Sequence, residues 1–124
     1  MSRQFEDLPW HDAVILAVEI DRRRPGAADE VCVSMLWPND RRSQIRFLEC
    51  YALEARMNFG VVVAAETVRS AIERTDTDEL RRIRGKWHAL GVDLPALKSF
   101  TIETNSTASE ITISACAWHE QLEE

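Results

Sequence analysis

Cysteine is scarce in this chain of 124 residues, and Cys32, Cys50 and Cys116 are odd in number and widely spaced. Neither a disulfide framework nor a zinc ribbon fits that spacing, so reduced thiols in a cytoplasm are expected. Glycine and proline are sparse too, at 4 each, which excludes a collagen-like chain and argues against disorder. No apolar run approaches the roughly 18 residues needed to cross a bilayer; the longest, Ala13 to Val18, meets Glu19 and Asp21 at once. The first residues hold no apolar core behind Arg3, and a secretory signal is not expected. A basic excess is also missing. With 15 Lys and Arg against 21 Asp and Glu, the net charge is -6, so a general nucleic-acid binder is not expected. Lysine is nearly absent, two against thirteen arginines, a bias that points to a GC-rich bacterial genome.

Motifs that carry chemistry are missing as well. The chain has no Gly-rich phosphate loop, no paired carboxylates on a helix face and no nucleophile elbow. No catalytic residue and no cofactor is therefore assigned. Cys116 and His119 supply half a zinc site at best, and His11, His88, Cys32 and Cys50 lie too far apart in sequence to complete it. No metal is assigned either.

What remains is an ordinary globular composition, 45% apolar and 29% charged, in a length suited to one domain over residues 1–124. Val14, Leu16, Val18 and Ile20 alternate, as do Val31, Val33, Met35 and Trp37 after the turn-rich Arg22 to Asp29, and the two runs predict an antiparallel hairpin. From Ile45 to Phe59 odd positions are apolar, with only Glu49 and Ala55 diluting them, over about 15 residues, longer than a usual strand. A bent strand, or two joined near Cys50 to Leu53 through a bulge, is expected. Val61, Ala64, Ala65, Val68, Ala71 and Ile72 have helical spacing, which places a helix at Ala65 to Arg74. Leu80, Ile83, Trp87 and Leu90 predict a second from Thr77 to Leu90, with Asp76 and Glu79 as a cap pair and Gly91 as terminator. Phe100 to Thr104 and Ile111 to Ala117 read as a terminal hairpin.

The order is β-β-β(β)-α-α-β-β, and the expected fold class is α+β: an antiparallel sheet of five or six strands with two helices on one face. Its expected core is Val14, Leu16, Val33, Trp37, Phe47, Tyr51, Ile83, Trp87, Phe100 and Ile113. The other face collects the cysteines with Ile15, Ala17, Leu36, Leu48 and Trp118, too apolar for a surface in water. Termini and long loops, a second copy, or a ligand or partner groove could cover it. Ile15, Leu36, Leu48 and Trp118 are therefore the candidate interface residues.

Trp10, His11 and Asp12 are candidate binding residues at the start of the first strand. A His-Asp unit suits general base work or metal ligation, but neighbours in a strand point to opposite faces, which favours structural roles. Asn58, before Gly60, and Asn105, in Thr104-Asn105-Ser106-Thr107, are further binding candidates whose side chains also suit turns. The arginines of the helical region read as a solvated face or a site for an acidic partner.

Trp10-His11-Asp12-Ala13 before an alternating strand, Phe47-x-x-Cys50-Tyr51 with Met57-Asn58-Phe59-Gly60, and the terminal Phe100 to Ser106 and Ile111 to Ser114 hairpin resemble a family of small bacterial α+β proteins. Some of its members stand beside toxin genes as immunity proteins. The resemblance implies one compact domain and assigns no active residue. The expected function is thus a non-enzymatic protein-interaction domain, an immunity-type inhibitor or a homodimer, with a protein partner or self-association and neither nucleic acid nor membrane. A small-molecule or enzymatic site near His11 and Asp12 is the alternative.

Overall fold

A computed structural model describes residues 4–26, 29–60 and 65–123. Six antiparallel strands form one sheet: β1 Val14–Asp21, β2 Glu30–Leu36, β3 Arg42–Arg56, β4 Val68–Arg74, β5 Lys98–Thr104 and β6 Glu110–Leu122. Their order is β1-β2-β3-β6-β5-β4. A single α-helix among the described residues, α1 Asp78–His88, interrupts the strands between β4 and β5, and a short 3-10 turn, Phe5–Asp7, precedes β1.

The expectation of two helices on a sheet is therefore corrected: the fold is mostly antiparallel sheet with one helix. Residues 61–64, where the first expected helix would approach its start, lie outside the described residues. From Val68 onward that segment is β4, paired with β5 through Val68↔Thr104, Ala71↔Ile102 and Ile72↔Thr101. A register shift between Val68 and Ser70 explains the misreading. A bulge inserts one extra residue, so consecutive inward side chains stand three apart, as they would on a helix. Val68 is buried and Ala71 packs on the same core.

The same device recurs. In β1 the register shifts between Ile15 and Ala17, so Ile15 and Val18 pack on the core while Leu16, expected inside, is 44% exposed. In β3 the shift falls between Cys50 and Ala52, next to Glu49 with φ 54; Phe47, Cys50 and Leu53 all belong to the core side. These irregularities bend a 15-residue strand and let the sheet coil.

The coil closes around the N-terminal turn. Phe5 is buried with its ring 4.9 Å from Trp10, 5.0 Å from Phe100, 5.6 Å from Trp118 and 6.0 Å from Phe47. Inward side chains of β2, β3, β5 and β6, among them Val33, Met35, Ile45, Ile102, Ile111 and Ile113, complete this core. Burying each large side chain contributes about 1.5–3 kcal/mol before conformational entropy offsets most of the sum.

The outer face carries α1. Thr77, rather than Asp76, caps it: the Thr77 hydroxyl accepts from the Leu80 N–H at 3.1 Å, whereas Asp76 pairs with Arg81 at 3.3 Å. Leu80 and Ile83 pack with Leu94 and Leu97 as a second cluster, over Tyr51, Ala52 and Cys116 of the sheet. Arg84 donates to the carbonyls of Leu97 at 2.6 Å and Thr75 at 3.1 Å, tying the helix to both flanking connections. No helix among the described residues is long and apolar enough to cross a membrane.

Candidate functional site

Where β3 bends, the outer face opens into a groove of about 710 Å³ between the β1–β2 connection and the end of α1. Asp29, Glu30 and Glu49 supply carboxylates, Tyr51 and Trp87 aromatic walls, and Leu48 and Val92 apolar surface. No Lys, Arg or His lines it among the described residues.

Each element sets one part. Tyr51 and Trp87 meet edge to face, with ring centroids 5.3 Å apart, the arrangement that a ring quadrupole prefers. The backbone N–H of Cys50 donates to the Asp29 carbonyl at 3.2 Å, and the Gly26 N–H donates to the Asp29 carboxylate at 2.9 Å. These bonds hold the β1–β2 connection against the bend. Glu30 is neutralised by Arg46, whose guanidinium donates to it at 2.5 Å and to Gln121 at 2.9 Å; this pair keeps Arg46 charged above its ordinary range. The Arg46 Nε is buried and has no partner among the described residues.

Glu49 differs from the other two. It is exposed, its backbone is left-handed at φ 54, and no cation lies within ion-pair distance among the described residues. A left-handed conformation costs a residue other than glycine about 1–2 kcal/mol. Its charge also reaches its neighbours. Burial, with Cys116, Glu49 and Asp29 adding to it, raises the Tyr51 phenol. Cys50 is pushed up to about 12 by burial, and its thiol donates to the Phe47 carbonyl at 3.2 Å. Chemically the groove offers fixed negative charge beside aromatic faces, and among the described residues no nucleophile in it is activated.

The residues singled out from sequence fall elsewhere. Trp10 is buried, its indole N–H donating to the Phe5 carbonyl at 2.7 Å. His11 and Asp12 do approach one another, at 3.7 Å, because they lie on a turn before β1 with Asp12 at φ 68 rather than within a strand. Their side chains are 84% and 66% exposed, and neither lines the groove. Asn58 donates through its side-chain amide to the Thr107 carbonyl at 2.8 Å, and Asn105 to the Thr67 hydroxyl at 2.9 Å. Both bind turns together. Beside them lies a residue that sequence reading missed: Glu66 accepts from the N–H groups of Ser106 and Thr107 and from the Thr107 hydroxyl.

Of the expected interface residues, Ile15 and Trp118 pack on the main core, Leu36 is half-buried at the end of β2, and Leu48 lines the groove. Cys116 packs in the cluster under α1, and His119 is exposed. Among the described residues no three His, Cys, Asp or Glu side chains gather closely enough to hold a metal.

Comparison with known protein families, curated proteins and solved structures finds no match to this chain. The functional reading rests on the groove.

Proposed function

We propose that this chain is a cytoplasmic, non-enzymatic interaction domain that holds a basic segment of a partner protein in the groove at the β3 bend. The observation that carries the reading is Glu49: an exposed carboxylate without a cation among the described residues, held in an unfavourable backbone conformation beside the Tyr51 and Trp87 rings. Strain of this kind is retained where the surrounding structure over-determines it, often at binding sites. A Lys or Arg side chain entering the groove meets the charges of Glu49 and Asp29 and the ring faces together, and cation–π contacts are worth about 0.5–2 kcal/mol. The net charge of -6 steers a basic partner towards the domain. Resemblance to immunity-type proteins supplies the particular form: an inhibitor that occupies a basic surface of a toxin.

A photo-crosslinking residue at Val92, on the groove rim, tests this in cells that make the protein naturally. The expected adduct is to another protein through a Lys- or Arg-rich peptide, and Glu49→Lys removes it. Adducts that Glu49→Lys leaves intact, or adducts only to neutral or acidic peptides, overturn the proposal.

A further inference from the structure

The groove has two unlike linings. Along the β1–β2 connection and the β3 bend stand three carboxylates, of which two already have donors: Glu30 is paired with Arg46 at 2.5 Å, and Asp29 accepts the Gly26 N–H at 2.9 Å. Only Glu49 has neither cation nor donor among the described residues. The other lining is apolar. Trp87 and Val92 contribute to it from the end of α1, and Leu48 and Ala117 from the sheet. Val92 is fixed in place: its N–H and that of Leu90 both donate to the Trp87 carbonyl at 2.9 Å, and Gly91 turns the chain between them at φ 84. Leu90 and Val92 are nevertheless 66% and 38% exposed. Exposed aliphatic side chains held at the rim of a concave site are surface that a bound segment covers.

We infer that the segment bound in the groove places one cation against Glu49 and a large aliphatic side chain, one or two positions along, against Leu48 and Val92. This rests on the reading of the groove as a site for a basic segment and adds the partner's second requirement. A second cation gains little in the same place. Glu30 is already neutralised, and a charge laid on Leu48 and Val92 loses hydration without meeting a counter-charge. An aliphatic neighbour instead removes its own surface and that of the rim from water together. The volume, about 710 Å³, is that of sites enclosing a drug-sized ligand, more than a single side chain fills.

Three capped peptides of equal length test this, differing only in a central Arg-Gly-Leu, Arg-Gly-Ser or Arg-Gly-Arg. Each is titrated to millimolar concentration into the full isotope-labelled chain at about 0.15 M salt, and the amide shifts of Glu49, Tyr51 and Val92 report occupancy. The Arg-Gly-Leu peptide is expected to bind about tenfold more tightly than the other two. Val92→Ser abolishes that advantage and leaves Arg-Gly-Ser binding as it was, whereas Glu49→Gln weakens all three. Either comparison peptide binding as tightly as Arg-Gly-Leu overturns the inference, and so does a leucine advantage that Val92→Ser leaves intact; in both cases weaker binding by Glu49→Gln keeps the basic-segment reading standing. Binding that Glu49→Gln does not weaken, or no shift of these amides with any peptide, overturns that reading and this inference with it.

Discussion

Val68 donates its backbone N–H to the carbonyl of Ala13 across 2.7 Å, and both residues are fully buried. The bond joins the beginnings of β4 and β1, the two strands at opposite ends of the sheet order. One contact of this kind turns a six-stranded sheet into a coil that is nearly shut at one end. Phe5 and its turn occupy the space enclosed, and Glu6 bonds the Glu73 N–H on β4. The apolar share of the chain thus fills a closed interior and a separate cluster under α1, which a single flat sheet face would not require.

Phe5 and Phe59 should respond oppositely to the same substitution. Phe5 touches four aromatic rings in the enclosed core, so Phe5→Ala leaves a cavity and costs about 3–5 kcal/mol. Phe59 is 90% exposed, and Phe59→Ala should change stability by less than about 0.5 kcal/mol. Urea unfolding followed by tryptophan fluorescence measures both. Equal losses would mean that the N-terminal turn does not plug the coil.

Glu66 should act as an acid-sensitive staple between the segment before β4 and the β5–β6 turn. Burial raises its carboxyl, but bonds from Thr107, Thr104 and Ser106 outweigh that and leave it below its ordinary value of 4.5. Its contribution is therefore complete above about pH 4.5 and is lost as pH falls through the lower folded-state value. Partial exposure limits the effect, so Glu66→Gln should cost about 1 kcal/mol at neutral pH. Melting temperatures of both forms between neutral pH and pH 3 should converge in acid; a constant difference would reject the staple.

Period-two alternation located β2, β5 and most of β6 because those strands are regular: Val31, Val33 and Met35 face the core without interruption. It failed where a bulge intervenes. In β4 the inward pair Val68 and Ala71 imitates a helical turn, and in β1 the inward set begins at Ile15 rather than Val14. No local signal separates three-residue spacing made by a bulge from that made by a helix. The groove was illegible for a related reason. Glu49, Tyr51 and Trp87 come together only once the β3 bend and α1 are placed, and a lone Glu at an odd position reads only as a dilution of the apolar face. Leu48 was visible as an unusual outward apolar residue, and it does line the groove.

The three cysteines should resist modification in the folded protein. Burial raises all of them, with Cys50 reaching about 12, and the thiolate is the reactive form. At pH 8 Ellman's reagent should react slowly with folded protein and fully after denaturation. Cys50 should be last, so Cys50→Ser should leave the early reaction unchanged. Rapid loss of one thiol equivalent that Cys50→Ser abolishes would contradict its burial.

Arg84 and Thr77 should matter more to α1 than the arginines around them. Arg81 and Arg82 form exposed pairs one turn apart with Asp78 and Glu79, and water screens such pairs so that they add little to stability. Arg84 instead carries its charge to backbone carbonyls at Leu97 and Thr75, on the chain at either side of α1. Its Nη2 donates to both while its Nε donates to the Leu94 carbonyl at 3.4 Å, and lysine, with one nitrogen, cannot span all three. Arg84→Ala and Arg84→Lys should each cost about 1–2 kcal/mol, Thr77→Ala about 1 kcal/mol through loss of the cap, and Arg82→Ala less than about 0.5 kcal/mol. Chemical denaturation of the four variants ranks them. An Arg84→Lys variant as stable as the parent would show that charge alone, and not the guanidinium's spread of donors, holds α1 to the chain on either side.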